Sequence, residues 1–227
     1  MATSLIELES RKIISLIPLT AMTTTQTIPQ LLTFDDYINQ YPDDGQQYEL
    51  IAGKLSAMMR PIGKHEEIGG FVSGTLFLEI NRQQLPYFIP NTAAVKPLRP
   101  HTGYLPDIIV LDRENLVNDP YWETASSISL ATSAKLIIEI VSSNWRDDYL
   151  KKFDDYEQLG IAEYWIIDYL AKGSARYIGS PKEPTISIYQ LIDGEYQGNL
   201  FKQDQRLISG VFPELNLTAN QIFRARA

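Results

Sequence analysis

"LIIEIVSSNWRDDYLKKFDDY", residues 136–156, puts a carboxylate inside a β-branched run and follows it at once with a charge-rich segment. The first half continues a run that begins at Ala134 and reads as a strand through Ser142. Near-continuous Ile and Val suit a central strand covered on both faces. Alternate side chains of a strand share a face, so Glu139 points with Ile137 and Val141 and away from Ile138 and Ile140. A carboxylate on so apolar a strand costs several kcal/mol unless it is paired or holds a cation. The second half, "NWRDDYLKKFDDYEQLG", reads as a helix that stops at Gly160. Asp148, Lys152 and Tyr156 are spaced by four and share one face of it. Lys151 is turned about 100° away, as ~3.6 residues per turn requires. Asp154 and Asp155 read as a solvated face, and Tyr156 as core.

Working outward, "LTFDDYINQYP" predicts a short helix capped by Thr33, with Asp35 and Asp36 in its first turn. "YELIAGKLSAMM" predicts two strands, or one bent strand, about Gly53-Lys54. In "GKHEEIGGFVSGTLFLEINRQQ", Ile68, Phe71, Val72, Leu76 and Ile80 recur at helical spacing. Strands are predicted over Tyr87–Leu98 and Gly103–Asp112, and "RENLVNDPYWETASSISLATS" reads as a polar surface excursion. "AEYWIIDYLAKGSARYIG" and "TISIYQLIDGEYQGN" read as strands, the second a hairpin turning at Asp193-Gly194. The tail "ISGVFPELNLTANQIF" is expected to add a short strand and an apolar anchor. This order predicts a mixed α/β single domain: a flexible leader over 1–31, a domain over 32–223 and a tail over 224–227.

Composition narrows the function. Among 227 residues, 20 Lys and Arg face 28 Asp and Glu, a formal charge of −8. Proteins that grip nucleic acid through many phosphates are usually basic, so an architectural DNA binder is disfavoured. An acidic enzyme that meets nucleic acid through divalent ions fits. With no cysteine there are no disulfides, thiolate metal sites or cysteine nucleophiles, in keeping with a cytoplasmic protein. His65 and His101 are the only histidines, too few for a three-histidine zinc site in one chain. His101, in "RPHTGY", reads as a loop residue. "RKIISLIPLTAM" loosely resembles a secretory signal, but Glu7 and Glu9 precede it and Pro18 interrupts it. It reads instead as part of the leader, with Met22 an alternative start. No stretch approaches the ~18 apolar residues of a membrane helix.

Asp107 follows Pro106 in the strand before Ala134–Ser142. If the two strands are neighbours, Asp107 and Glu139 converge at one end of the sheet. Converging carboxylates share a proton or bind a hard cation. Mg²⁺ takes about six oxygens, several of them from water, and polarises a phosphodiester. Lys152 starts close enough after Glu139 to reach back to the same end.

"YELIAGKL", "KHEEI", "LPDIIVLD", "LIIEIVSSNWRDDYLKKFDDYEQLGIAEYWIID" and "ISIYQLIDGEYQ" resemble the Uma-two-type endonuclease family of the PD-(D/E)XK nuclease superfamily, over roughly Leu32 to Phe223. The resemblance implies a restriction-endonuclease-like α/β core, a mixed sheet flanked by helices, and metal-dependent cleavage of DNA. It implies Asp107 and Glu139 as ligands of Mg²⁺ or Mn²⁺, with Glu49 of "YELI" completing the site. The superfamily's usual lysine lies two residues after the glutamate, where this chain has Val141. The resemblance points to Lys152 on the helix as its replacement. His65 matches a histidine at the start of the long helix, with a role toward metal, substrate or proton. A homodimer is compatible with cutting two strands. The alternatives are a catalytically inactive nuclease-like module that binds DNA or protein, and a hydrolase of non-nucleic phosphoesters.

Overall fold

The computed structural model describes residues 30–142 and 144–226. The expectations of a flexible leader and an alternative start at Met22 fall, up to residue 29, outside the described residues. The chain opens with α1 (Phe34–Asn39), then a hairpin of β1 (Tyr48–Ile51) and β2 (Lys54–Ala57), and the long α2 (Gly63–Gln83). Two short strands follow, β3 (Tyr87–Phe88) and β4 (Ala94–Val95), then β5 (Ile108–Asp112), α3 (Arg113–Leu116), α4 (Trp122–Ala125) and β6 (Ser127–Ile128). Next come β7 (Ala134–Ile140), a π-helical run Asp147–Lys152 that continues into α5 (Phe153–Leu159), and β8 (Glu163–Asp168). The chain ends with α6 (Ala175–Ile178), the hairpin β9 (Thr185–Ile192) and β10 (Glu195–Phe201), and α7 (Ala219–Arg224).

Six strands form the main sheet in the order β10-β9-β8-β7-β5-β3. Only β7 and β8 are parallel, with Glu139 beside Ile166; the other neighbours run antiparallel. Parallel neighbours need a crossover, and the π-helical run with α5 supplies it. Both faces are covered, which explains the apolar continuity of β7 and β8. On one face Ile68, Val72 and Leu76 of α2 pack on Ile138, Ile140 and Trp165, joined by Phe212 and Ile222 from the C-terminal segment. On the other, Tyr149 and Tyr156 of the crossover pack on Ile137, Val141 and Tyr164. The predicted alternation therefore holds from Leu136 to Val141, and a register shift against β5 places Ala134 on the face of Ile137. A buried carboxylate ties the C-terminal segment down. Glu163 accepts hydrogen bonds from Trp165 Nε1 and Ser209 Oγ, both at 2.6 Å, and from the Gly210 amide at 2.6 Å.

Local signals account for most of the boundaries. Thr33 and Asp36 form a reciprocal capping box on α1. Gly160 ends α5 in the left-handed conformation. Asp193 and Gly194 both have positive φ, which matches the right-handed twist of the hairpin they join. The β1–β2 turn centres on Ala52-Gly53, one residue earlier than predicted. A side chain at Gly53 would meet Leu31 Cβ at 2.5 Å.

Several expectations need correction. Tyr87–Leu98 is not one strand: β3 joins the main sheet, whereas β4 leaves it to pair in parallel with β6. Pro90, with no amide hydrogen to donate, lies in the stretch between them. Within Gly103–Asp112, only Ile108–Asp112 is strand. The excursion between β5 and β7 is folded rather than merely polar. Asp119 is buried there and organises it, accepting from the amides of Ser129 and Leu130 and from Ser133 Oγ. After β8 the chain forms α6 rather than more strand, and the tail forms α7 rather than a short strand.

Candidate functional site

Glu139 sits next to last in β7, on the face that carries the crossover helix. Asp107 lies one residue before β5. Ile108 pairs with Ile138, so the next step of that antiparallel register brings Asp107 beside Glu139. A hydrogen bond fixes it: the Ile140 amide donates to Asp107 Oδ2 at 2.6 Å. Lys152 closes the π-helical run, and its Nζ lies 3.0 Å from Glu139 Oε2 and 3.1 Å from Glu49 Oε1. Glu49, on β1, also accepts the Leu105 amide at 3.1 Å. His65, in the first turn of α2, places Nε2 3.2 Å from the Ile140 carbonyl and 3.4 Å from Asp107 Oδ2. The structure thus brings Glu49, His65, Asp107, Glu139 and Lys152 into one cleft of about 680 Å³. The cleft opens at the carboxyl end of the parallel pair β7–β8, where α/β sheets commonly bind ligands.

Two residues that sequence reading assigned lesser parts belong to the same group. Asp148 is buried, lines the cleft, and sits one i,i+4 step from Lys152 on the same helix face. Tyr156, one step further along, donates from its hydroxyl to Glu139 Oε1 at 3.1 Å. Asp148–Lys152–Tyr156 was legible as a face; that Asp148 shares the cleft with Asp107 and Glu49 depends on segments far away in sequence. Val141 is fully buried among the aromatics of the crossover face, and the ammonium that reaches Glu139 comes from the helix packed on that face.

Asp155 corrects the solvated-face reading. It is 1% exposed. It accepts from Arg99 Nε at 2.7 Å and from the Tyr104 hydroxyl at 2.6 Å, while Asp154 remains outside and meets the Arg99 fork. Tyr104 packs edge-on against Tyr156, and Lys152 Nζ lies 5.6 Å from the Tyr104 ring centre. Asp155 therefore props the wall behind Lys152. Asp155→Ala is expected to cost about 2–3 kcal/mol in urea denaturation, because it strands a buried hydroxyl and removes a charge-assisted bond. Asp154→Ala should stay within about 0.5 kcal/mol of the parent.

The electrostatics follow from counting charges: four carboxylates, Glu49, Asp107, Glu139 and Asp148, surround one ammonium. Burial raises the Glu139 pKa well above the usual carboxylate range; Lys152 opposes this, and Asp107, Asp148 and Glu49 reinforce it. Burial likewise pushes Asp148 up to about 7, again against Lys152 and with its acidic neighbours. For Lys152, burial works against the charge, but the surrounding carboxylates win and hold its pKa above the ordinary value. His65 behaves similarly: burial disfavours the imidazolium, and Asp107 with the Ile140 carbonyl outweighs it. Burial and acidic neighbours thus raise Glu139 and Asp148, and the same carboxylates raise Lys152 against its burial.

Such a donor set suits a hard divalent cation, which prefers oxygen ligands and relieves carboxylate repulsion. Asp107 uses Oδ2 toward Ile140 and His65, and its Oδ1 makes no hydrogen bond to the described residues. Among the described residues, no three His, Asp or Glu side chains are grouped to hold a metal ion by themselves. Water or substrate oxygens would have to complete a shell on Asp107 and Glu139. No helix among the described residues is long and apolar enough to cross a membrane.

The fold matches a crystal structure from Anabaena variabilis described as a "putative nuclease" of the DUF820 family, with a TM-score of 0.62 and 19% identity, covering 86% of this chain and 98% of that one. No curated protein is similar enough to match. The profile of the Uma2 family, described as "Putative restriction endonuclease", matches residues 34–220, and the chain belongs to that family.

Proposed function

We propose that the protein is a Mg²⁺- or Mn²⁺-dependent endonuclease of PD-(D/E)XK type that hydrolyses DNA phosphodiester bonds, with residues 32–223 as the catalytic domain. The observation that carries this reading is the buried Lys152 ammonium, between Glu139 and Glu49 and beside Asp107 at the carboxyl end of β7. Asp107 and Glu139 would hold the divalent cation, with Glu49 assisting; when bound, it supplies Lewis-acid polarisation of the phosphodiester. The Ile140 amide and the Tyr156 hydroxyl keep the two acids oriented. Lys152 has three N–H groups. Two face Glu139 and Glu49, and the third is available to orient an attacking water and to stabilise negative charge on the phosphoryl group. His65, held by the Ile140 carbonyl and Asp107, contacts the phosphate. A homodimer would present two such clefts to a duplex.

Calorimetric titration with Mg²⁺ and Mn²⁺, paired with nicking of supercoiled plasmid, tests the proposal. The parent should give a metal-dependent heat and nick the plasmid. Asp107→Ala should lose the heat and at least about a hundredfold in nicking rate. A parent with neither heat nor nicking would instead be a non-catalytic module. Turnover of a small phosphodiester without nicking would mark a hydrolase of other phosphoesters.

A further inference from the structure

A second cavity, of about 540 Å³, opens beside the carboxylate cleft. The two share Gln47, Thr92 and Leu105 as wall residues. The separation is as little as one residue, since the Leu105 amide donates to Glu49. Yet the chemistry changes sharply across that wall. Carboxylates line the cleft together with Lys152, Lys172 and Arg60, whereas Asp43 is the only charged side chain lining the second cavity among the described residues. Its other walls are aromatic, aliphatic, small or amide-bearing, with Tyr37, Tyr41, Leu105, Ala94, Asn39 and Gln47 among them.

We propose that this cavity holds a nucleobase of the strand whose phosphate lies in the cleft, and that the preferred substrate is single-stranded or locally unpaired nucleic acid. The inference rests on the endonuclease reading of the neighbouring cleft. Phosphate belongs among cations and a metal, so a cavity with no cationic wall residue among the described residues suits the uncharged part of the same strand. Its size falls in the range of small-molecule sites. Tyr41 is 38% exposed, and its ring is held edge-on by Tyr37 at 5.4 Å and Tyr48 at 6.0 Å. A fixed, part-exposed aromatic face is a stacking platform for any base. The Asn39 and Gln47 amides make no hydrogen bond to the described residues and offer both donors and acceptors, as a base edge requires. A paired base inside a duplex cannot enter a side cavity without leaving the stack, which costs a few kcal/mol and least where pairing is already broken. The proximity of cavity and cleft therefore selects unpaired strands.

Fluorescence anisotropy in EDTA, where no strand is cut, measures the base contribution directly. Three labelled probes of equal length are compared: a single strand, the same strand made abasic, and its duplex. The single strand should bind at least about tenfold tighter than the abasic strand, which carries the same charge. Tyr41→Ala, and independently Thr124→Trp, which fills the cavity from its α4 wall, should bring the two strands to within about twofold. Equal binding of normal and abasic strands by the parent overturns the proposal. So does a base preference that survives both variants, or a failure of the parent to bind any strand. The metal heat separates the two readings. Heat without a base preference sinks the cavity alone, and a base preference without heat sinks only the metal-dependent reading of the cleft.

Discussion

Lys152→Met is expected to destabilise the fold by about 3–5 kcal/mol at pH 7 in EDTA and to slow plasmid nicking by about 10²–10³-fold. The two losses have one cause. Glu139 is 3% exposed and Lys152 6% exposed, and their contact at 3.0 Å is the only cation contact that Glu139 makes among the described residues. Removing Lys152 leaves the buried Glu139 with the Tyr156 hydroxyl but no counter-charge, which costs more than the pair itself contributes. A double variant separates pairing from packing. Glu139→Gln combined with Lys152→Met replaces both charges, so it should be more stable than Lys152→Met alone by roughly 1–3 kcal/mol. It should recover no nicking, because the ligand and the water-orienting ammonium proposed above are both gone. Lys152→Met should still give a metal-dependent heat, since Asp107 and Glu139 remain. Denaturant unfolding, calorimetry and nicking read the three outcomes. Parental stability in Lys152→Met would mean that the ammonium is solvated and that no buried pair exists.

How much of this was legible beforehand depends on how local each feature is. Glu139 stood out because a carboxylate in a β-branched run is costly, and strand alternation placed it with Ile137 and Val141, as found. Four-residue spacing put Asp148, Lys152 and Tyr156 on one face. That spacing survives the switch from π- to α-helix at Phe153, but the π-helical run itself has no periodic signature. Asp155 was misread because its burial is decided by Arg99 and Tyr104, 56 and 51 residues earlier, and nothing in "KKFDDY" distinguishes it from Asp154. Tyr87–Leu98 was misread because strand propensity says nothing about which sheet a strand joins. Asp107 and Glu49 lack any local signal as site residues. Their proposed roles rest on the family resemblance, and the structure adds only their contacts: the Ile140 amide on Asp107, and Lys152 with the Leu105 amide on Glu49.

Between pH 4 and pH 7, the metal-free protein is expected to lose part of its stability as pH rises, and Asp148→Asn should remove much of that slope. The sign follows from which state, folded or unfolded, holds the proton more tightly. Asp148 is pushed up to about 7 in the fold, against about 3.9 in an unfolded chain. An acid that holds its proton more tightly when folded contributes stability that is complete below its unfolded pKa and is lost as pH climbs through its folded one. Glu139, also raised, and His65, raised by Asp107 and the Ile140 carbonyl against its burial, act in the same direction. Glu79, held low by Arg82 and Gln83, and Asp112, held low against its burial by Lys135 and Asn115, act oppositely: the stability they contribute grows until pH is about 5 and little beyond. A tenfold difference in proton affinity between the folded and unfolded chain is worth about 1.4 kcal/mol, so Asp148→Asn should match the parent near pH 4 and exceed it by about 2–4 kcal/mol at pH 7 in EDTA. Thermal or urea unfolding at several pH values reads the difference. A divalent cation on Asp107 and Glu139 offsets the surplus negative charge, so millimolar Mg²⁺ should flatten the parent's slope and stabilise it most at pH 7. If the Asp148→Asn difference does not grow with pH, the carboxylates are not crowded as described. If that difference grows but Mg²⁺ leaves the parent's slope unchanged, the crowding is real and the cluster does not bind the metal.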